Sequence, residues 1–145
     1  MKTVRDDDGR QYLLLKRSSN ASLVRDPSTG NECYISNDRL EPVDECSPLE
    51  MAATGIDESL RKLVRGVHDD RTLGFLLELD DRGPTSVRVL ADRYDFCESD
   101  LHGRLAELTA AGLIEEADVA GERGYRVTDD CRMALEVVRN ATRDD

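Results

Sequence analysis

Hydrophobic residues occur in short, closely spaced runs over the first third of the chain. Turn-forming residues separate these runs, and residues 26–31 combine a proline with a glycine, which suits a hairpin loop. The pattern predicts roughly three or four short antiparallel strands, over residues 3–5, 11–17, 21–25 and 32–36. A sheet of this size is stable only when it packs against another element.

The hydrophobic spacing changes to a helical period from about Asp57 onward. The first helix is expected to bury one apolar stripe, formed by Ile56, Leu60, Leu63, Val64 and Val67. A second apolar helix is expected over residues 72–80, and it should end at Gly83 and Pro84.

A connector rich in helix breakers lies between the two patterns, at residues 41–55. Pro42 and Pro48 interrupt it, although Pro48 after Ser47 also suits the first turn of a short helix. The sequence therefore predicts an α+β protein, with an antiparallel β-module and connector over residues 1–48 and a helical domain over residues 49–145.

Residues 83–114 predict two helices joined by a tight turn. Pro84, Thr85 and Ser86 open the first helix, with a hydroxyl side chain as its cap. The buried face of this helix is expected to be Val87, Leu90 and Ala91. Residues 94–97 form the turn, and Phe96 is expected to fill the space between the helices. The second helix repeats leucine at i, i+4 and i+7 and stops at Ala111 and Gly112, before a strand.

Two phrases of the sequence carry a family resemblance. The first has the form L-x3-L-x2-L-x2-AGLI and ends at Ile114, and the second is GYRVTDDCRMAL at residues 124–135. In this order and spacing they resemble the MarR, ArsR and PadR group of winged helix-turn-helix regulators, over about residues 56–138. The resemblance implies a recognition helix at residues 98–111, a short wing at residues 116–127 and a last helix capped by Thr128.

The resemblance also assigns candidate DNA contacts by position. The groove face of the recognition helix would present Ser99, Asp100, His102, Gly103 and Arg104. Phosphate contacts are expected from Arg82, Arg88 and Arg93 around the first motif helix, and from Arg123 at the wing tip. For His102 and Arg123 the alternative is an ordinary solvated surface residue.

The recognition helix departs from the pattern of the group at several positions. Glu98, Asp100 and Gly103 stand where the group favours serine, threonine, arginine or histidine, and Cys97 stands where a serine or aspartate usually caps the helix. An aspartate accepts a hydrogen bond from cytosine N4, but it repels the neighbouring phosphates. Residues 83–114 hold three arginines against five acids, a poor electrostatic match to DNA.

The charge of the whole chain is strongly acidic. Asp and Glu number 31 against 20 Lys and Arg, for a net charge of −11. Aspartate exceeds glutamate, 19 to 12, and arginine exceeds lysine, 17 to 3. This composition resembles that of proteins from salt-in halophilic archaea. At about 1 M salt the Debye length is only about 3 Å, so the acidic charge does not exclude DNA binding, but counterion release then contributes little to affinity.

The sequence favours neither an enzyme nor a metal protein. It contains no P-loop, GxSxG or HExxH motif. The four cysteines are far apart, without the close pairs of a zinc site. We therefore expect no catalytic residues, metal or cofactor, and free thiols, with Cys97 and Cys131 acting as small buried apolar residues. The polar first residues and the lack of a run of about 18 apolar residues predict a cytoplasmic protein outside the membrane.

Two functions from different classes remain open. The first is a sequence-specific transcriptional regulator that binds double-stranded DNA as a homodimer, pairing through residues 57–80 and residues 129–140. The N-terminal sheet would then be an accessory module that packs on the winged domain, senses a ligand or extends the dimer interface. The alternative is a winged-helix adaptor that binds a protein in place of DNA, which the acidic recognition helix favours.

The acidic composition predicts that salt stabilises the fold. Most of the 31 carboxylates must lie at the surface, where their mutual repulsion is screened as the salt concentration rises. The melting temperature should therefore increase from low to molar KCl, as measured by circular dichroism. A flat or falling curve would show that the acidic surface is not an adaptation to salt.

Overall fold

The computed structural model describes residues 1–143, and the chain divides into two compact units. The first unit is Met1–Asp57, and the second begins at Glu58. The division lies nine residues after the boundary suggested by the sequence, which ended the first domain at residue 48. The reason is that a short helix, α1 (Pro48–Ala53), packs against the first two strands of the N-terminal sheet.

The first unit is a five-stranded antiparallel sheet in the order β4-β3-β2-β1-β5. Its strands are β1 (Lys2–Arg5), β2 (Gln11–Arg17), β3 (Ala21–Arg25), β4 (Glu32–Ser36) and β5 (Glu41–Pro42). The four longer strands confirm the sequence prediction. The fifth was not predicted: a 3-10 turn (Asn37–Arg39) returns the chain so that two residues pair with β1.

The N-terminal sheet has a small core of its own. Val4, Tyr12, Val24 and Ile35 are buried together, and Leu14 and Leu40 pack against them. A bulge between Leu14 and Lys16 shifts the register of β2 on β3, and such irregularities increase the local twist of a strand. Met51 of α1 is also buried, so α1 supplies the packing partner that a small sheet needs.

Over residues 58–143, the second unit contains five helices and a three-stranded sheet in the order β6-β8-β7. Its elements are α2 (Glu58–Gly66), α3 (Asp70–Arg82), β6 (Thr85–Ser86), α4 (Val87–Tyr94), α5 (Glu98–Ala110), β7 (Ile114–Val119), β8 (Glu122–Val127) and α6 (Asp129–Thr142). This order confirms the predicted winged helix-turn-helix, with β7 and β8 as the wing. Ala120 and Gly121 form the wing turn and both have positive φ, as a two-residue type I′ hairpin requires.

Local signals in the sequence set the helix ends. The side chains of Asp69, Ser86 and Thr128 accept hydrogen bonds from backbone N–H groups of α3, α4 and α6, respectively. These bonds satisfy donors that have no partner within the helix. Gly83 and Gly112 follow α3 and α5 with φ of 81° and 78°, a conformation that glycine adopts without strain.

The core of the second unit confirms the predicted helical faces, with one correction in α2. Leu63 is buried and Leu60 and Val67 pack against the same core, but Val64 is 72% exposed. Ile56 precedes the helix and is also exposed. The predicted stripe was too wide, because α2 packs on α6 along one narrow face, and Val64 is turned about 100° from Leu63.

The cysteines differ in their environments. Cys131 is fully buried, and burial raises the pKa of its thiol to about 12. Cys97 was expected to be buried and is exposed, because it occupies the N-cap of α5 at the edge of the motif. Within residues 1–143, no helix is both long enough and apolar enough to cross a bilayer.

The wing depends on a glycine at close contact. A Cβ atom at Gly124 would lie 2.5 Å from the carbonyl oxygen of Thr85 and 2.7 Å from a methyl group of Val119. We predict that Gly124→Ala destabilises the fold by about 1–3 kcal/mol, as overpacking does, in urea denaturation.

The matched control is Gly103→Ala, where a Cβ meets no described atom within 4 Å. Because alanine is the better helix former by about 0.5–1 kcal/mol, this variant should be slightly stabilised. Equal destabilisation of both variants would contradict the packing argument.

Candidate nucleic-acid interface

The helix-turn-helix is held by an aromatic turn. Asp95 adopts a left-handed conformation (φ 53°, ψ 47°) after α4, and the next residue, Phe96, is partly buried and packs against the core of the second unit. The ring of Phe96 meets Phe75 of α3 edge-on, with centroids 5.7 Å apart. The turn fixes where α5 begins relative to α3 and α4.

The outward face of α5 consists of small residues. Leu101, Leu105 and Leu108 are buried, which leaves the opposite side of the helix open. The exposed side chains along that side are spaced i, i+4, i+7 and i+11, at Ser99, Gly103, Ala106 and Ala110. Ser99 and Gly103 were among the sequence-predicted groove residues. Ala106 was not, although the same helical spacing points to it.

Acidic residues flank this small face. Glu98 and Glu107 are exposed on α5, and His102 lies 3.8 Å from Glu98 across one helical turn. His102 is exposed, and its role as a groove residue stays a prediction. A ligand that approaches α5 therefore meets small side chains, one imidazole and two carboxylates.

Arg104 is not at the open face. Its side chain is only 16% exposed and points towards the start of α3, where it donates a hydrogen bond to Oγ1 of Thr72. Its guanidinium lies 3.7 Å from Asp69 and 3.8 Å from Asp100. Arg104 therefore joins α5 to α3, and a direct DNA contact by this residue stays a prediction.

Asp100 belongs to the same cluster. Arg71 of α3 donates a hydrogen bond of 3.2 Å to its carboxylate. The guanidinium groups of Arg71 and Arg104 lie 4.6 Å and 5.8 Å from the centre of the Phe96 ring, within cation–π range. Sequence reasoning missed Arg71, because nothing in the local pattern connects it to the turn.

Asp69 completes this cluster from α3. Its carboxylate accepts the backbone N–H of Thr72 at 2.8 Å, which caps α3. The hydrogen bonds from Thr72 lower the pKa of Asp69, and Arg104 lowers it further. Asp69 is therefore a carboxylate at neutral pH, and it balances the charge of Arg104.

The two other arginines near the wing are paired with carboxylates of β7 and β8. Arg88 of α4 donates two hydrogen bonds of 3.2 Å to Glu122, which raise its pKa. Arg123 was expected at the wing tip, but the tip is Ala120 and Gly121. The two-residue turn instead places Arg123 within β8, opposite Asp118.

The side chain of Arg123 is held along the wing. It donates a hydrogen bond of 2.7 Å to the hydroxyl of Tyr125, which raises its pKa. It also lies 2.8 Å from Glu116. The side chains of both Arg123 and Glu116 are more than 60% exposed, so solvent screens this ion pair and the contact is weak.

Arg93 differs from Arg88, Arg104 and Arg123. It is exposed at the end of α4, beside the ring of Tyr94 at 6.0 Å. Arg88, Arg104 and Arg123 each have a carboxylate within 4.0 Å, whereas Arg93 has none among residues 1–143. Arg82, which is exposed at the end of α3, also has no carboxylate within 4.0 Å among these residues. Arg82 and Arg93 are therefore the candidates whose charges are available to a ligand without breaking an ion pair.

These features define a winged helix-turn-helix unit with an exposed recognition-type helix, preceded in the chain by a five-stranded β-unit. The chain belongs to the family described as "Family of unknown function (DUF7346)", whose family model matches residues 1–139. Because that match spans both units, the β-unit and the winged helix-turn-helix are parts of one family architecture.

The chain is similar to solved structures at low sequence identity. HlyU from Vibrio cholerae N16961 is 22% identical to this chain. The match covers 61% of this chain and 100% of the HlyU chain, with a TM-score of 0.50. The transcriptional regulator HlyU from Vibrio vulnificus CMCP6 is 20% identical. The match covers 57% of this chain and 85% of that regulator, with a TM-score of 0.48. An ArsR-like transcriptional regulator from Rhodococcus sp. RHA1 is 24% identical, with coverages of 57% and 78% and a TM-score of 0.45. No curated protein matches the chain.

The buried position of Arg104 predicts a structural cost when it is removed. Arg104→Met deletes the bond to Thr72 and leaves Asp69 and Asp100 without this partner. Hydrogen bonds to charged groups contribute about 1.5–3 kcal/mol each, so we expect a loss of about 2 kcal/mol in the free energy of unfolding.

Arg88→Met is the control for removing an arginine of this motif. Its ion pair with Glu122 is exposed, and such pairs contribute little, so its unfolding curve should overlay that of the wild type. If Arg104→Met also leaves the unfolding curve unchanged, Arg104 does not anchor α5.

Proposed function

We propose that the protein is a sequence-specific, DNA-binding transcriptional regulator that uses α5 as its recognition helix. The observation that carries the proposal is the contrast between the two sides of α5. One side is anchored by three leucines and by Arg104, and the other is exposed and lined by small residues. A rigidly held helix with an open face suits insertion into the major groove.

The candidate contacts divide into two kinds. We assign contacts with base edges to Ser99 and His102, and the methyl group of Ala106 suits apolar contact with a thymine methyl. Arg93 supplies a phosphate contact, which positions the protein without reading sequence. Arg88 and Arg123 join it when phosphate oxygens replace Glu122 and Glu116 as their partners. Arg104, Asp100 and Arg71 act indirectly, by positioning α5.

We also propose that the protein acts as a homodimer through α2 and α6. These helices pack against each other, and both leave large apolar side chains exposed, namely Val64, Met133 and Val137. A second copy that covered them would place two recognition helices on two half-sites, and linked half-sites increase the overall affinity.

The charge of −11 fits a very salty medium, such as the cytoplasm of a halophilic archaeon. Few counterions would be released on binding, so affinity would fall only slightly with salt. Specificity would then rest on base-edge contacts, apolar contacts and DNA shape.

The test is a set of binding isotherms against native promoter DNA at two KCl concentrations in the molar range. Arg93→Ala should weaken binding about equally on all sequences, because a phosphate contact carries no code. His102→Ala should relax the preference at one base position and cost roughly 1–3 kcal/mol there. Lys16→Ala, which removes one positive charge from the N-terminal sheet, is the control and should bind as the wild type does.

An adaptor function is the second candidate, favoured by the acidic residues beside α5 and in the wing. Glu98, Glu107, Glu116 and Glu122 would oppose phosphates but suit a basic protein surface. If the wild type shows no saturable binding to promoter DNA, or if Arg93→Ala and His102→Ala both bind as tightly as the wild type, the regulator proposal fails. The adaptor then takes its place.

A further inference from the structure

The N-terminal sheet has two edges of different character. One edge is β5, which has only two residues and ends in Pro42. Short strands and prolines block the addition of a further strand, because proline has no N–H to donate. The other edge is β4, which pairs along all five residues with β3 and has no residue-skipping irregularity within that pairing. Of the two edges, β4 is open to strand addition.

The direction of the backbone groups of β4 follows from the bonds at its two ends. Asp26 N–H donates to the carbonyl of Asn31, and Asn37 N–H donates to the carbonyl of Asn20. Hydrogen-bonded pairs alternate in an antiparallel ladder, so Cys33 and Ile35 direct their N–H and C=O groups to β3. Glu32 and Tyr34, and the N–H of Ser36, then face away from the sheet.

The open edge is exposed and firmly held. Tyr34 is 63% exposed at the centre of β4. The C-terminal end of the strand is fixed by Asn37, whose side chain accepts a hydrogen bond of 2.6 Å from Ser22 and donates one of 2.8 Å to the carbonyl of Ser18. Lysine and proline, which commonly guard strand edges, are both absent from the sequence of β4. A row of ordered, unpaired donors and acceptors is therefore available.

We propose that a second copy of this chain adds to the sheet through β4, antiparallel and about a two-fold axis at Tyr34. In this register Tyr34 lies opposite Tyr34 of the second copy, Cys33 lies opposite Ile35, and Glu32 lies opposite Ser36. The outward N–H of Tyr34 donates to the C=O of Tyr34 in the other copy, and the outward N–H of Ser36 donates to the C=O of Glu32. The two five-stranded sheets become one continuous sheet.

The sequence of β4 is complementary to itself in this register. Glu32 is its one charged residue, and the register places it opposite a serine, so no like charges oppose each other. The two exposed tyrosines form a cross-strand aromatic pair, which is a favourable combination in sheets. Each copy carries a charge of −11, and screening at molar salt removes the long-range repulsion. The pairing therefore strengthens as salt rises.

This interface is independent of DNA binding and of α2 and α6. Amide hydrogen exchange of the whole chain in molar KCl directly reports whether the outward amides of β4 are paired. The amides of Tyr34 and Ser36 should exchange slowly at high protein concentration and rapidly at low concentration. The amides of Cys33 and Ile35, which face β3, should be protected at both. If the Tyr34 and Ser36 amides exchange rapidly at every concentration, the proposal is wrong, whether or not the protein binds DNA.

A charge exchange at Tyr34 tests the two-fold register. Tyr34→Lys and Tyr34→Glu each place two like charges opposite each other, so the protein concentration needed to protect the Ser36 amide should rise about tenfold for each. An equimolar mixture of the two variants should restore protection, because opposite charges then face each other. Ser28→Lys, in the exposed β3–β4 loop, is the control for added charge and should behave as the wild type does.

Two further results would overturn the proposal. If both Tyr34 variants keep the protection of the wild type, the axis does not lie at Tyr34. If the Tyr34 amide of the wild type is protected only when extract of the host cell is added, the strand that binds β4 comes from a different protein.

Discussion

The placement of α5 depends on its attachment to α3. Three leucines of α5 enter the core, but the hydrophobic effect that buries them is non-directional. The charged cluster adds direction: Arg104 reaches Thr72 and Asp69, Arg71 reaches Asp100, and both guanidinium groups lie over Phe96. Because these bonds have a defined geometry, they fix the rotation of α5 and therefore which residues it exposes.

Ion pairs of this kind also reduce the positive charge that the motif presents to a ligand. Most arginines around α5 are engaged with carboxylates of the protein itself, so the surface near the helix is locally neutral or acidic. In dilute buffer such a surface would repel a polyanion. In concentrated salt that repulsion is short-ranged, and exposed pairs such as Arg123–Glu116 exchange partners at little cost. The acidic charge therefore restricts the salt concentration at which the motif could bind a polyanion more than it restricts the kind of ligand.

The two units suit different kinds of contact. The winged unit presents a helix whose backbone N–H and C=O groups are already hydrogen-bonded within the helix, so a ligand could be recognised there mainly by side chains. The N-terminal unit presents the backbone of β4, and the pairing proposed there would rely on N–H and C=O groups with few side-chain requirements. The family match covers both units, so both surfaces belong to one family architecture.

The sequence by itself determined most of the elements. The four longer strands of the first unit, the helix-turn-helix, the wing and the cap at Thr128 follow from spacings and from residues within one or two turns, where local physics suffices. The short strand β5 does not, because it forms only when the chain returns to pair with β1. Only the tertiary structure decided which side chains are available. Arg104 turns inward because Asp69 and Thr72, more than thirty residues away in sequence, lie beside it in the fold. Arg123 pairs with Glu116 because a two-residue turn sets the hairpin register. Contacts between distant residues have no local pattern, so their partners appear only when the chain has folded.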